Sequence, residues 1–372
     1  MARSMRAIAV LPAQHEVKVL TAPEPRLQSP TDVRVRILEV GVCGTDKEIC
    51  AFEYGTPPSG SEHLVIGHES LGEVVEAGPA VTKVRPGDLV VVMVRRPCDR
   101  PECVPCRAGR ADFCSTGEFV ERGINGAHGF MTEYVVDDER WLVPVPRSLR
   151  DVAVLVEPLT IAEKALLQVA QIQARLPWSC ETRTRGWCHA AVVLGAGPVG
   201  LLGAMALVRA GFRTFVYSRE AEGGAKDALV RSFGATYVSS ATTPPEGLPE
   251  RTGGVDLVYE AVGLSRLAFE VMAQMERNGI FVFTGVAALK GPQPLDTDTL
   301  MRNLVLKNQV ALGTVNAGRD AFEAAVADLG VFLERWPDAI REVITGRFPI
   351  EAHRDLLLGK PGGIKNLIAL AS

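Results

Sequence analysis

The cysteines of this 372-residue chain are unevenly placed, and their spacing suggests metal chemistry. Four of the eight fall in one segment, CDRPECVPCRAGRADFC, with the spacing C-x4-C-x2-C-x7-C. Four thiolates in so short a loop can close a tetrahedral zinc site that leaves no open position. The alternative, four unligated cysteines in a polar loop, is disfavoured because exposed thiols oxidise readily. The segment therefore predicts a structural zinc held by Cys98, Cys103, Cys106 and Cys114.

A second set of possible ligands is dispersed over the first 160 residues. GVCGTD contains Cys43, VIGHESLG contains His68 and Glu69, and LVEPL contains Glu157. A thiolate, an imidazole and a carboxylate can form a zinc site whose fourth position stays open to water or substrate. Each residue alone has an ordinary interpretation: a buried or disulfide-bonded cysteine or a nucleophile, a hydrogen-bonded histidine, a glutamate that begins a helix. Their joint occurrence ahead of a dinucleotide motif favours a catalytic zinc.

That dinucleotide motif is GAGPVG, which follows an apolar strand and begins a helix. Gly195 would make the tight turn, Gly197 would let the backbone approach a pyrophosphate, and Gly200 would let helix and strand pack closely. Pro198 and Val199 complete the loop at the helix N-terminus, which faces the phosphate charge. A glycine turn without a ligand is the alternative, and the strand–helix context disfavours it.

The end of the next strand, VYSREAEGG, bears on the choice of cofactor. An NAD site usually has an acidic residue here, about 20 residues after the glycines, to hold the ribose 2′-hydroxyl. Ser218 occupies that place, Arg219 follows it, and Glu220 comes two positions later than the count requires. Ser218 and Arg219 can bind a 2′-phosphate, so the sequence predicts NADP, with NAD as a possible second cofactor. Arg219 as a solvated loop charge is the alternative.

Two kinds of architecture must position these residues. Up to about residue 150, short apolar runs such as VRVRILEV alternate with turn signals, which is typical of a β-rich region. EPLTIAEKALLQVAQI then predicts an amphipathic helix, and QARLPWSCETRTRGWCH a polar surface connection. Strands and helices alternate beyond it, which predicts an α/β fold with a doubly wound parallel sheet. DAFEAAVADLGVFLERWPDAIREVITG predicts a helical segment, and NLIALA a final strand.

The composition describes an ordinary globular chain without an extended charged surface. Its net charge is −4 and its charged residues amount to 23%. Nucleic acid and anionic membranes reward a concentrated basic face, so neither is expected as a partner. The N-terminal apolar run is too short for a signal peptide, and we expect a cytoplasmic protein without a membrane span.

In this order, the motifs GVCGTD, GHESLGEVVEAG, VRPGDLV, the four-cysteine segment, EPL and LGAGPVG resemble the zinc-dependent medium-chain dehydrogenases/reductases, the alcohol dehydrogenase superfamily. The resemblance implies a GroES-like catalytic domain over residues 1–160, a Rossmann domain over 161–313, and a return to the catalytic domain over 314–372. It implies Cys43 and His68 as zinc ligands, Glu157 as a third or water-linked ligand, Glu69 as an alternate ligand, and Thr45 as the proton relay. The x4 gap after Cys98 departs from the usual x2 of the superfamily.

Within the superfamily, the segments FCSTGEFVERGINGAHGF, LVEPLTIAEKAL and VALGTVNAGRDAF are most similar to archaeal-type glucose 1-dehydrogenases. This resemblance implies that Glu121 and Asn316 bind sugar hydroxyls and that Asp46 lines the site. It implies oxidation of an aldose, D-glucose above all, at C1 to the aldonolactone by hydride transfer to NADP. A homodimer or homotetramer is expected by the same resemblance.

Two other functions compete with this one. The first is a dehydrogenase of the same chemistry acting on a polyol, sorbitol-like or threonine-like substrate. The second is a catalytically silent nucleotide- or zinc-binding protein, which would be expected to lose the ligands Cys43, His68 and Glu157; all three are present.

Overall fold

The structure is a computed structural model that describes residues 3–177, 189–287 and 291–370. Cys180 and Cys188, and most of the predicted surface connection, lie outside the described residues. The strands are β1 (Ser4–Leu11), β2 (Glu16–Pro23), β3 (Asp32–Gly41), β4 (Leu64–Val65), β5 (Glu69–Ala77), β6 (Leu89–Val92), β7 (Arg95–Arg96), β8 (Val120–Arg122), β9 (Gly126–Ala127), β10 (Tyr134–Asp138), β11 (Leu142–Val145), β12 (Ala190–Leu194), β13 (Arg213–Ser218), β14 (Thr236–Ser239), β15 (Leu257–Glu260), β16 (Ile280–Phe283), β17 (Val310–Gly313), β18 (Ile344–Pro349) and β19 (Lys365–Ala369). The α-helices are α1 (Gly44–Cys50), α2 (Val104–Arg107), α3 (Val156–Gln173), α4 (Pro198–Arg209), α5 (Ala225–Ser232), α6 (Leu248–Thr252), α7 (Ser265–Met272), α8 (Thr297–Leu306), α9 (Arg319–Arg335), α10 (Pro337–Glu342) and α11 (His353–Leu357).

Two compact units divide the chain. The first combines residues 1–160, 316–333 and 343–372, and the second combines residues 161–315 and 334–342. The first unit is therefore built from both ends of the chain. Among the described residues, no helix has the length and apolar character needed to span a membrane.

The first unit is β-rich, as the alternating sequence pattern predicts. Its largest sheet has the strand order β11-β6-β5-β3-β19-β18, and β10 also pairs with β3. In β3, Val33, Val35 and Ile37 are fully buried while Arg34 and Arg36 between them are partly exposed. This alternation follows from the two-residue period of a strand, which turns every second side chain toward the core.

The second unit contains a parallel sheet of the order β14-β13-β12-β15-β16-β17. Its central strand β12, with the sequence AAVVL, is buried along its whole length. Continuous burial is what a parallel strand flanked by neighbours requires, because helical crossovers cover such sheets. The α/β class and the predicted parallel sheet are confirmed.

One local prediction differs from the structure, and two elements were not predicted. The predicted helical stretch from Asp320 onward ends as α9 at Arg335, continues as α10 from Pro337, and its last residues, from Ile344, form β18. Proline fixes its own φ and lacks an N–H group, so Pro337 begins a new helix instead of continuing the old one. The edge strand β17 and the helix α8 before it were not expected from the sequence.

Candidate metal and dinucleotide sites

Cys43, His68 and Glu69 come together where β3 ends and β5 begins. In the antiparallel register Gly41 of β3 lies opposite Glu69 of β5. Cys43 follows as the residue that caps the N-terminus of α1, and His68 directly precedes β5. One ligand atom from each of the three side chains lies within 4.8 Å of the other two. A thiolate, an imidazole and a carboxylate at this separation are a donor set that suits zinc.

Asp46 organises this cluster from the first turn of α1. Its carboxylate accepts the backbone N–H of Cys43 at 2.9 Å, and its other oxygen lies 3.4 Å from His68 Nδ1. His68 Nδ1 and Asp46 Oδ1 are buried without a hydrogen-bond partner among the described residues. Burial lowers the pKa of His68, but Asp46 and Cys43 together outweigh it, and the net pKa is raised. Buried polar atoms left in this state fit a site built to take a cation.

Glu69 has a partner that the sequence did not suggest. Lys365, the first residue of β19, donates from Nζ to both carboxylate oxygens of Glu69, at 2.8 and 2.6 Å, and to the backbone oxygen of Val42 at 3.1 Å. Both charged side chains are only 2% exposed. A Cβ atom on Gly41 would lie 2.0 Å from Glu69 Oε2, so glycine is required beside this ion pair. No local motif surrounds Lys365, and only the pairing of β19 with β3 brings it here.

Glu157 and Thr45 lie in the same unit but outside the three-residue cluster. Glu157 is a buried residue in the first turn of α3. Burial, with a further contribution from the Glu69 carboxylate, raises the pKa of Glu157 to about 7, although His68 and Lys365 oppose the shift. Thr45 is a half-buried residue of α1, two positions after Cys43.

The four clustered cysteines form a compact sulfur site. The Sγ atoms of all four lie within 4.8 Å of one another. Two separations are 3.7 Å, between Cys98 and Cys106, and 3.9 Å, between Cys103 and Cys114. A tetrahedron with zinc–sulfur bonds of about 2.3 Å has edges of about 3.8 Å, so these sulfurs fit a zinc ion. The x4 gap after Cys98 does not prevent the loop from closing.

Local hydrogen bonds favour a thiolate at Cys103. Hydrogen bonds from the backbone N–H of Cys106 and from Ser115 lower the pKa of Cys103 to about 5. A thiolate, not a thiol, is the form that binds a metal ion.

Glu121 and Asn316 are in direct contact through a buried ionic network. Arg95 of β7 lies opposite Glu121 of β8 and donates to its Oε1 from Nε at 3.1 Å and from Nη2 at 2.9 Å. Asn316 Nδ2 donates to the same oxygen at 2.8 Å. The Arg95 guanidinium also stacks 3.7 Å above the ring centre of Phe119. Arg95 and Glu121 are both buried, so the carboxylate is held in a fixed position. No motif around Arg95 predicts this role.

The glycine loop of the second unit has the shape that its motif predicts. Gly195 has φ +101°, and a Cβ atom there would lie 2.6 Å from Val262 Cγ2. A Cβ atom on Gly200 would lie 2.2 Å from the backbone oxygen of Gly195, whereas one on Gly197 would meet nothing within 4 Å. Gly197 caps α4, and Pro198 is its first residue. Open backbone at a helix N-terminus suits a pyrophosphate.

At the end of β13, Ser218 and Glu220 contact each other. Ser218 Oγ donates to Glu220 Oε2 at 2.7 Å, and Arg219 is exposed. By the count of positions along the strand, Glu220 lies two residues beyond the place of the ribose-binding carboxylate. Its side chain nevertheless turns back and reaches the strand end at Ser218.

The comparisons with known proteins place the chain in a family. Residues 29–147 match the alcohol dehydrogenase GroES-like domain, and residues 150–370 match the glucose dehydrogenase C-terminus. The chain belongs to the zinc-dependent medium-chain dehydrogenases/reductases, in the branch that contains the glucose 1-dehydrogenases. The predicted family, fold class and oxidoreductase chemistry are thereby confirmed.

Particular relatives cover nearly the whole chain. A glucose 1-dehydrogenase of Methanocella arvoryzae is 37% identical over 369 residues, which are 99% of this chain and 100% of the relative. One of Thermoproteus tenax is 38% identical over 97% of this chain and 98% of the relative. The structure of Haloferax mediterranei glucose dehydrogenase in complex with NADP, Zn and gluconolactone matches with a TM-score of 0.87 and 32% identity, over 99% of this chain and 100% of that chain.

Proposed function

We propose that this protein oxidises D-glucose at C1 to gluconolactone, with NADP⁺ as the electron acceptor and with the help of zinc. The observation that best supports this proposal is the similarity, over 99% of this chain, to a glucose dehydrogenase whose structure contains NADP, Zn and gluconolactone. The donor set of Cys43, His68 and Glu69 and the open backbone at Gly197 are consistent with that pair of cofactors.

The catalytic zinc would be held by Cys43 and His68, with Glu157 as third or water-linked ligand and Glu69 as alternate ligand. A second, structural zinc would be held by the four clustered cysteines. When bound, zinc supplies a Lewis acid that lowers the pKa of the C1 hydroxyl, and the nicotinamide supplies the hydride acceptor. The dinucleotide would lie on the loop Gly195–Gly200, including Val199, with Ser218 and Arg219 toward the 2′-phosphate.

Side chains of the first unit transfer the proton, position the zinc ligands and bind the sugar. Thr45 accepts the C1 hydroxyl proton as its own hydroxyl proton passes toward solvent. The C1 hydrogen would leave with both electrons of the C1–H bond as hydride for the nicotinamide, and the C1–O bond becomes a double bond. Asp46 holds His68 and Cys43 in position through the contacts described above. Glu121 and Asn316 bind sugar hydroxyls. In a buried network such groups discriminate strongly, because a substrate that lacks the matching hydroxyl leaves them unpaired.

Turnover with a substrate panel tests the proposal. Purified protein loaded with zinc is assayed for NADPH formation with glucose, galactose, xylose, sorbitol and threonine. We expect glucose to be oxidised with the highest kcat/KM. Turnover of sorbitol or threonine without turnover of any aldose would refute it.

A matched pair of variants tests the metal assignment. Cys43→Ser removes a thiolate of the proposed catalytic site, and Cys50→Ser removes a buried cysteine seven residues later that lies outside both clusters. We expect Cys43→Ser to lose activity and one zinc per chain, and Cys50→Ser to retain both. Unchanged zinc content in Cys43→Ser would exclude Cys43 as a ligand.

We further propose that the protein is a cytoplasmic homo-oligomer, a dimer or a tetramer. The clustered cysteines support a reducing compartment. Exposed apolar side chains of α8, Met301 and Val305, together with the edge strand β17 in the same unit, support self-association. Light scattering after size-exclusion chromatography would give the mass, and a monomer at micromolar concentration would contradict the oligomer.

A further inference from the structure

A carboxylate and an ammonium group are paired at the end of β13, the strand end that meets the adenine ribose in dinucleotide-binding folds. Lys226 Nζ, in the first turn of α5, donates to Glu220 Oε1 at 2.6 Å, and Ser218 Oγ donates to Glu220 Oε2 at 2.7 Å. Tyr237 of β14 donates from its hydroxyl to the backbone oxygen of Glu220 at 3.0 Å. These contacts fix Glu220 beside the carboxyl end of β13, the second strand of the dinucleotide fold.

This strand end is where such folds distinguish two cofactors. A carboxylate here accepts a hydrogen bond from the ribose 2′-hydroxyl of NAD, and a cation here accommodates the 2′-phosphate of NADP. The two groups normally appear in different proteins. In this chain Glu220 and Lys226 offer both, and each neutralises the other.

Resting on the proposed function, we propose that the Glu220–Lys226 ion pair sets the choice between NADP and NAD. With NADP the 2′-phosphate takes Lys226 and Ser218 away from Glu220, so the ion pair must open. With NAD the ion pair stays closed, and Glu220 accepts the ribose 2′-hydroxyl. Lys226 is therefore a binding residue for the 2′-phosphate, and the Glu220 carboxylate competes with that phosphate for the Lys226 ammonium group.

The burial and charge of the pair fit a contact that can open. The Lys226 and Glu220 side chains are 32% and 38% exposed, so the ion pair is accessible to an incoming phosphate and is of modest strength. Burial raises the pKa of Glu220, but the hydrogen bonds from Lys226 and Ser218 outweigh it and lower the pKa to about 2. Glu220 is therefore an anion at neutral pH, and its charge opposes the binding of a 2′-phosphate beside it.

Equilibrium binding of NADP⁺ and NAD⁺ to the intact, zinc-loaded protein tests the proposal by calorimetry, independently of turnover. Lys226→Met should weaken NADP⁺ binding about tenfold or more, the value of a charge-assisted hydrogen bond to phosphate, and change NAD⁺ binding less than about twofold. Glu220→Gln should tighten NADP⁺ binding about threefold, because a competing ion pair is removed, and weaken NAD⁺ binding. Arg231→Met is the control, since Arg231 pairs with Asp227 on the same helix one turn apart.

The ratio of the two dissociation constants decides the outcome. An opposite shift of this ratio in Lys226→Met and Glu220→Gln, with Arg231→Met unchanged, supports the proposal. A ratio in Lys226→Met equal to that in Arg231→Met, or an equal loss of both cofactors, overturns it. Failure of the proposed function would show differently, as intact cofactor binding without oxidation of any aldose.

Discussion

Replacing Lys365 by methionine should destabilise the first unit far more than the loss of an ordinary ion pair. The substitution keeps the length and the apolar stem of the side chain and removes the charge. Glu69 would then remain in the protein interior without the ammonium group that contacts both of its carboxylate oxygens. A carboxylate in such a position either keeps an uncompensated charge or takes up a proton, and both cost free energy.

The burial of the pair sets the size of the effect. Both side chains are 2% exposed, and breaking a buried ion pair costs about 3–5 kcal/mol. The Lys18–Glu16 pair has the same 2.6 Å separation, but its side chains are 39% and 46% exposed. Its loss through Lys18→Met should cost less than about 1 kcal/mol. At about 2–4 °C per kcal/mol for a domain of this size, Lys365→Met should lower Tm by about 6–20 °C.

Thermal unfolding of both variants, with EDTA and with added zinc, measures these differences. The Glu69→Gln/Lys365→Met double variant should regain at least half of the loss, because position 69 no longer carries an unpaired charge. Zinc should reduce the loss in Lys365→Met, since a cation at the Cys43–His68–Glu69 cluster compensates the same carboxylate. A metal-free Lys365→Met protein that melts within about 2 °C of Lys18→Met would refute the reasoning.

Three further predictions concern other parts of the first unit. Cys103→Ser should reduce the zinc content by one ion per chain, measured by plasma mass spectrometry, and lower Tm by several degrees; unchanged zinc would contradict the four-sulfur site. Arg95→Met should raise the KM for glucose about tenfold with a smaller change in kcat, because Glu121 loses its anchor; Arg95→Lys should recover part of the effect, and an unchanged KM would contradict the anchor. Burial, together with the positive charges of His63 and Arg122, lowers the pKa of His128 to about 4. As pH falls from about 6.5 to 4, the unfolded chain therefore takes up a proton at His128 that the folded chain does not, and the folded state loses stability. After allowance for partial exposure, the wild type should lose about 1 kcal/mol more stability over that range than His128→Gln; equal losses in urea titrations would contradict it.

The parts of the fold carried by periodic patterns could be predicted from the sequence. VRVRILEV predicts a half-buried strand because its valines and isoleucine repeat every second residue. AAVVLGAGPVG predicts a buried strand followed by a turn and a helix. Both patterns depend on local chain geometry alone. The structure also brings together two groups of side chains that the sequence predicts as zinc ligands, the four clustered cysteines and the group Cys43, His68 and Glu69, because metal ligands are few in type.

The charged partners of the site residues could not be predicted in this way. Lys365 and Glu69 are separated by 296 residues, and Arg95 and Glu121 by 26, so only strand pairing brings them together. The role of Glu220 was missed for a different reason. A count along the strand locates the Cα atom, whereas the flexible side chain places the carboxylate beside Ser218, two residues earlier. The break at Pro337 shows the same limit, because the helical periodicity continues across a residue that the helix cannot accommodate.

The strand β19 has a consequence for the order in which the molecule is completed during synthesis. It inserts between β3 and β18, and it brings Lys365 to a cluster whose other members lie between residues 43 and 69. During synthesis on the ribosome, these early residues cannot complete their sheet until nearly the entire chain has emerged. Residues 161–315 contain all the strands of the second unit and can therefore fold first. A nascent chain in which β19 has not yet emerged therefore exposes the edge of β3 and an uncompensated Glu69, and an exposed strand edge favours aggregation. A chain that stops before Lys365 lacks the ammonium group that neutralises Glu69.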